Sequence, residues 1–265
     1  MHSDILLIRR KGRIATLVLN RPEKKNSLSP QLVDKLREAI DDLATDAAIR
    51  VLIIRGEGEQ AFCAGYDIRA LPTQPDTGKK NKLAELAPVE EAFQAVVNFP
   101  FPVIAAINGS AFGAGFELAL CCDIRIAAEN IRMGMPPAKL GMVYPYKGLQ
   151  RFISVLGIAN TKELFFTGRA YPVQRLKEMG MLHCHVPAEE LEAYTNQLAA
   201  AIAENAPLSL KGNKRILNML ANSERLNSFD TARADALVEA ALNSEDLKEG
   251  QRAFLEKRRP QFKGA

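Results

Sequence analysis

Glu117 stands in an unusual place for an acid. It lies in the run "AFGAGFELALCCD" at 111–123, among small and apolar residues just after a Gly-Ala-Gly. The strand-like "PVIAAING" (102–109) leads through "NGSAFGAG" into a helix predicted to begin near Gly113. Glycine and alanine at such a junction let a ligand approach the backbone. A helix N-terminus adds N–H groups without intrahelical acceptors and a partial positive charge. Together these suit an anion or a developing oxyanion, with Glu117 one turn further in beside whatever oxygen is bound. Taken alone, the same residues also fit glycines that only pack and an acid that only complements the helix dipole.

A second loop of the same type shifts the balance. "GEGEQAFCAGYDIRAL" (56–71) again runs from strand through glycines and small residues into a helix. Two such loops, each following a core strand, could aim one N–H apiece at a single oxygen. That arrangement stabilises an enolate or a tetrahedral oxygen, and each donor is typically worth on the order of 10² to 10³ in rate.

The elements that must carry these loops follow from periodicity. "RIATLVLN" (13–20) alternates as a strand, and Ser29 reads as an N-cap with Pro30 at the first position of an amphipathic helix to about Ala44. "RVLIIRG" (50–56) and "DIRIAAE" (123–129) are further buried strands, and "VEEAFQAVVNF" (89–99) has helical apolar spacing. Alternating strands and helices predict an α/β domain over 1–206. From Pro207 the periodicity turns helical with charged faces, which predicts a helical C-terminal region over 207–265. Residues 72–82, rich in Pro, Thr, Gly and Lys, are expected to form a mobile surface loop. No fixed-period sequence repeat is apparent.

Composition narrows the function classes. The 265 residues are 47% hydrophobic, enough for a sizeable core. A net charge of +4, from 35 basic and 31 acidic residues, is too mild to argue for nucleic acid, and the mixed signs of "KLREAIDDL" give no basic helix. No run approaches the roughly 18 apolar residues of a membrane span. The opening "MHSDILLIRRKGRIATLVLN" reads as strand sequence, without the apolar core of a signal peptide. Cys63, Cys121, Cys122 and Cys184 form no C-x-x-C, as expected for reduced thiols in a cytoplasmic protein. "HCH" at 183–185 puts two histidines on one face of an extended segment but offers no further ligand-spaced partner, so a strand end is expected and no metal.

The motifs "AFCAGYD", "NGSAFGAGFELALCCD" and "EGQRAFLEKRRPQF" resemble the crotonase superfamily of enoyl-CoA hydratases and isomerases, and the resemblance covers nearly the whole chain. It implies an α/β fold, a spiral of ββα units, with 207–265 as a helical trimerisation region in a homotrimer or dimer of trimers. It also implies an acyl-CoA substrate with no separate cofactor. In that family the thioester oxygen is held by the backbone N–H groups matching Tyr66 and Ala114. Adenine and pantetheine lie against Ala64, Gly65, Tyr66, Asp67 and Ile68. A basic residue matching Lys257 helps hold the phosphates, and Lys24 is a second candidate.

A hydratase of this family adds water with two glutamates. One matches Glu117; the other would fall in "MGMPPAKLGMVYP" (133–145), where this chain has Ala138. Syn addition needs one group to deprotonate water and another to supply the α-proton, so Ala138 leaves the second role without an owner. The family's isomerases typically rely on the same missing acid. One branch does without it. The chain is similar, in "AGYDIRALP", "KELFFTG" and "SEDLKEGQRAFLEKRRPQFKG", to the decarboxylases acting on methylmalonyl-CoA-like thioesters. Tyr144 of "LGMVYP" matches a tyrosine in that branch's active site. Tyr66 and Pro136 stand where that branch has histidine and threonine. Both are pocket positions, so the acyl group could differ. The catalytic set expected from the resemblance is therefore Glu117, Tyr144, Tyr66 and Ala114. A carboxylate at 117 would repel a substrate carboxylate unless protonated or turned away. A hydratase or isomerase working with Glu117 alone, and a weakly catalytic acyl-CoA binding protein, are the alternatives. Tyr144 could also be a loop tyrosine satisfied by a backbone carbonyl.

Overall fold

The chain starts with a hairpin, β1 (Leu6–Lys11) and β2 (Ile14–Leu19), followed by α1 (Pro30–Thr45). It then takes one path three times. The first pass is β3 (Val51–Gly56), β4 (Ala61–Cys63) and α2 (Ala87–Asn98). The second is β5 (Val103–Ile107), β6 (Ser110–Phe112) and α3 (Ala114–Cys121), and the third is β7 (Ile124–Ala128), β8 (Arg132–Gly134) and α4 (Tyr146–Thr167). Then come β9 (Ala170–Pro172), α5 (Val173–Glu178), β10 (Cys184–Val186), α6 (Leu191–Ala203) and α7 (Pro207–Ala221). This is a computed structural model. It describes residues 4–70, 86–140 and 142–221, and beyond them 245, 246, 249, 253, 256, 258, 260, 261, 263 and 264.

In each pass the first strand joins a six-stranded sheet ordered β1-β2-β3-β5-β7-β10, and the second joins a four-stranded sheet ordered β4-β6-β8-β9. The β1–β2 and β8–β9 pairs are antiparallel and the rest parallel. The expected ββα spiral is thus present as a structural repeat. Its central strands read as near-continuous apolar runs, such as the fully buried "VIAAI" of β5, because a parallel sheet is covered on both faces.

The expected strands and the helices of 30–44, 89–99 and 113 onward appear within a residue or two, whereas the helix expected at the end of 56–71 is a 3₁₀ turn, Ile68–Ala70, beyond which the described residues stop until 86. Ser29 Oγ accepts from the Leu32 N–H at 3.3 Å, capping α1 ahead of Pro30. Leu32, Val33, Leu36, Ala39, Ile40 and Leu43 form the buried face of α1 at helical spacing. The segment around His183 is indeed a strand end. Cys184–Val186 pairs with β7, and His183 Nδ1 accepts from the Arg125 backbone N–H at 3.2 Å. All four cysteines are free thiols, three of them buried. Among the described residues no helix is long and apolar enough to cross a membrane.

Helical sequence does begin at Pro207. Its α7 is tied to the sheet by Lys214 Nζ, which donates to the Phe101 carbonyl at 3.0 Å and to Asp123 at 2.7 Å. Most of the expected helical region beyond 221 lies outside the described residues, as does the expected loop at 72–82.

Two glycines bring the second and first passes together. A methyl group on Gly115 would sit 2.1 Å from the Cys63 carbonyl oxygen, so only glycine lets the first turn of α3 rest directly on β4. Gly65, at φ +105°, lies against the following loop: a methyl there would meet the Phe112 carbonyl oxygen at 2.8 Å and the Ala114 nitrogen at 3.6 Å. The two glycine loops seen in the sequence are therefore in contact.

Candidate active site

Ala114 is the first residue of α3, where helix geometry leaves N–H groups without intrahelical acceptors. Gly113 turns the chain into the helix at φ +53°, a left-handed conformation suited to glycine. Tyr66 follows Gly65 and pairs with Leu28 in an isolated parallel bridge. Both Tyr66 and Ala114 line one cavity of about 400 Å³. Glu117, Tyr144, Glu90, Lys147 and Gly148 line it too, and Leu86, Val89, Phe93 and Met142 make its walls largely apolar. Tyr66, Ala114, Glu117 and Tyr144, the catalytic set expected from the sequence, are thus gathered at one site.

Glu117 is buried in the first turn of α3, and both of its oxygens are engaged. Tyr144, just ahead of α4, donates its hydroxyl to Oε2. Arg151, on α4, donates from Nη1 to Oε1 at 2.7 Å. The same guanidinium grips Glu90 of α2 with two bonds, from Nη1 at 2.8 Å and Nη2 at 2.5 Å. Lys147 Nζ lies 3.9 Å from Glu90 on the solvent side.

Burial pushes the Glu117 carboxyl above its ordinary value; the Tyr144 and Arg151 contacts act against that rise and the Glu90 charge adds to it. The Tyr144 phenol is held well above its usual range by burial and by the Glu117 charge, so it stays a neutral donor. Burial alone would lower Arg151, but the carboxylates, Glu90 foremost, raise it and keep it charged.

The segment expected to meet the CoA moiety is knitted to the 21–28 loop. Ala64 N–H donates to the Lys25 carbonyl at 3.0 Å, Leu28 N–H to Gly65 at 2.8 Å, and Asp67 N–H to Leu28 at 2.9 Å. This places Lys24, exposed on its 3₁₀ turn Pro22–Lys24, on the neighbouring loop. Ala64 is half-buried and Ile68 exposed beside it. Asp67 faces Arg21 at 3.7 Å and Arg69 at 3.4 Å. Burial alone would raise its carboxyl, but the Arg69 backbone N–H and the two guanidinium groups hold it below its ordinary value. Lys257 lies outside the described residues.

The turn matching the second glutamate borders the cavity without lining it. Pro136 is half-buried and Ala138 exposed on the 3₁₀ turn Pro137–Leu140. The Met142 N–H donates to the Pro137 carbonyl at 2.9 Å and so fastens this turn to the cavity wall. Lys139 runs away over Gly168, whose added methyl would lie 3.0 Å from its Cε.

Sequence reasoning missed Arg151, Glu90 and Gly148. One signal was available: Gly148 and Arg151 stand three apart, which puts them on one face of α4 just after Tyr144. A methyl on Gly148 would approach Tyr144 Cε1 to 2.5 Å and Glu117 Oε1 to 2.9 Å, so glycine makes room for the pair.

Tyr66 and Ala114 beside a buried carboxylate–phenol pair, in a largely apolar cavity on a ββα spiral, make a candidate site for acyl chemistry. Comparison with known proteins agrees. The chain belongs to the enoyl-CoA hydratase/isomerase family, whose sequence profile matches residues 9–265. It is 35% identical to the methylmalonyl-CoA decarboxylase of Escherichia coli, over 96% of this chain and 95% of that protein. The crystal structure of an enoyl-CoA hydratase from Bacillus anthracis superposes with a TM-score of 0.90 at 32% identity, covering 99% of this chain and 100% of that one. A methylmalonyl-CoA decarboxylase in complex with 2-nitronate-propionyl-CoA superposes at 0.77 with 34% identity, over 99% of each chain.

Proposed function

We propose that this family member is an acyl-CoA lyase of the decarboxylase type, acting on a malonyl- or methylmalonyl-like thioester. The carrying observation is that both Glu117 oxygens are already held, by Tyr144 and by Arg151. A carboxylate so engaged is poorly placed to strip a proton from water. The other carboxylate lining the cavity among the described residues, Glu90, is gripped by the same arginine. The pairing also lessens the repulsion expected between Glu117 and a substrate carboxylate, because Arg151, shared with Glu90, offsets part of the Glu117 charge.

In this scheme the thioester oxygen lies at the Tyr66 and Ala114 N–H groups. The bond from the α-carbon to the carboxylate breaks, CO₂ leaves, and the electron pair moves into the thioester as an enolate stabilised by those donors. One proton, taken from solvent through a water held at the Tyr144 oxygen, then closes the α-carbon. The thioester is itself the electron sink, so the scheme calls on no further cofactor. Ala64, Gly65, Asp67 and Ile68, with Lys24 and Lys257, would hold the CoA moiety, and Pro136 would border the acyl pocket.

One observation favours a second reading, an enoyl-CoA hydratase or isomerase working with Glu117 alone. Burial raises the Glu117 carboxyl, the direction wanted in a general base near neutral pH. Mass spectrometry of the products from malonyl-, methylmalonyl-, glutaconyl- and crotonyl-CoA separates the two. Loss of CO₂ supports the first, and addition of water or a shifted double bond supports the second. Affinity without conversion would instead mark a protein that only binds acyl-CoA.

We further propose a homotrimer or a dimer of trimers. The exposed Ile153, Ile158 and Phe166 on α4 are apolar side chains that a neighbouring subunit could cover. The four free thiols favour a reducing, cytoplasmic setting.

A further inference from the structure

Arg151 is not among the residues that line the cavity, and the scheme above gives it no chemical step. Its position is nevertheless unusual. One guanidinium, its side chain 15% exposed, serves two carboxylates from two other helices. Nη1 donates to both Glu90 and Glu117, at 2.8 and 2.7 Å, while Nη2 donates to Glu90 at 2.5 Å and to Gln94 at 3.4 Å. We propose that Arg151 is a positioning residue whose guanidinium, divided between Glu90 and Glu117, sets the charge and the orientation of the Glu117 carboxylate.

The geometry gives the two acids opposite effects. Arg151 attracts negative charge onto Glu117. Glu90 draws on the same cation and adds a like charge nearby, so it works against that attraction. Among the described residues, the titratable groups facing Glu117 are few. Tyr144 comes from the segment before α4, Arg151 from α4, Glu90 from α2 and Cys121 from α3, with Lys147 behind Glu90. Cys121 is a buried thiol held protonated well above its usual range, so it brings no charge of its own. The planar fork matters as well as the charge: Nη1 bonds both acids while Nη2 gives Glu90 a second bond, an arrangement that the single nitrogen of an ammonium does not reproduce.

The inference rests on reading the cavity as the acyl-CoA site, but its test does not depend on turnover. The full-length protein is labelled with ¹³C at the glutamate carboxyls, the Glu117 signal is assigned with Glu117→Gln, and its titration midpoint is followed by NMR. Arg151→Gln should raise that midpoint by about 1 to 3 pH units. Glu90→Gln should lower it, because it removes a like charge and releases Arg151 to Glu117 alone. Arg151→Lys, which keeps the charge without the fork, should fall between the wild type and Arg151→Gln. A residue that only held the helices together would not move the midpoint in opposite directions. A Glu117 midpoint that stays put or rises in Glu90→Gln overturns the proposal, even if neither arginine variant folds. The titration can succeed whichever thioester the enzyme converts, so a failure here is distinct from a failure of the decarboxylase reading.

Discussion

Tyr144 donates its phenolic proton to Glu117, which stands 27 residues earlier in the chain. The pair joins the segment ahead of α4 to the first turn of α3 across the wall of the cavity. It also fixes what each group can do. The hydroxyl is oriented by the carboxylate, and the carboxylate is occupied by the hydroxyl on one side and by Arg151 on the other.

Replacing Tyr144 by Phe removes only the hydroxyl. Turnover should fall by about 10² to 10⁴, the usual contribution of a positioned proton-transfer group. Affinity for a CoA thioester should change little. The variant also leaves one buried Glu117 oxygen without its donor, which should cost about 1 to 3 kcal/mol of stability. Kinetics with substrate titration, beside urea denaturation, reads both.

Gly148→Ala tests the same pair by crowding it. The new methyl would come within 2.5 Å of the Tyr144 ring and 2.9 Å of Glu117 Oε1, distances that force one of them to move. Overpacking of this kind typically costs about 1 to 3 kcal/mol. Activity should fall out of proportion to the stability loss, which thermal denaturation and assays on the folded fraction would show.

Ala114 probes the backbone donor. Because it is the first residue of α3, proline fits there better than anywhere else in the helix, while deleting the N–H. Ala114→Pro should therefore keep the circular dichroism spectrum and lose about 10² to 10³ in rate. Ala114→Gly, which keeps the donor, should stay close to wild type. An Ala114→Pro enzyme that turns over normally would remove Ala114 from the oxyanion site.

Glu117 also makes a pH prediction. Its folded value lies above the ordinary one, so between the two the native state binds more protons than the unfolded chain. Its contribution to stability must then decline as pH rises from roughly 4.3 toward the raised value, and level off above it. Urea midpoints of the wild type and Glu117→Gln across that range should show the wild type losing ground with rising pH. A difference that grows in favour of the wild type would reverse the assignment.

Much of the site was legible because its chemistry is local. Gly65 and Tyr66, or Gly113, Ala114 and Glu117, are neighbours in the chain, and a strand–glycine–helix junction announces a backbone donor by itself. Arg151 and Glu90 were not legible in this way. Arg151 lies 34 residues from Glu117 and 61 from Glu90, and charges on amphipathic helices ordinarily face water. Only the packing of α2, α3 and α4 turns them inward. The ββα repeat was expected from the family resemblance and not from periodicity, for a related reason. Its passes begin at Val51, Val103 and Ile124, so no fixed sequence period exists, and the repeat is one of strand pairing alone. The steric role of Gly148 likewise depends on Tyr144 and Glu117 meeting in space.

If the cavity acts as proposed, it breaks a carbon–carbon bond and does not add water. The direct measurement is single-turnover incubation of the purified protein with methylmalonyl-CoA and, separately, crotonyl-CoA, with products followed by mass spectrometry. The account predicts that the methylmalonyl thioester loses CO₂, while crotonyl-CoA is hydrated slower by about 10² or more, for want of a second positioned acid. Hydration of crotonyl-CoA at ordinary enzyme rates, of order 10 s⁻¹, with the methylmalonyl thioester left intact, would contradict it.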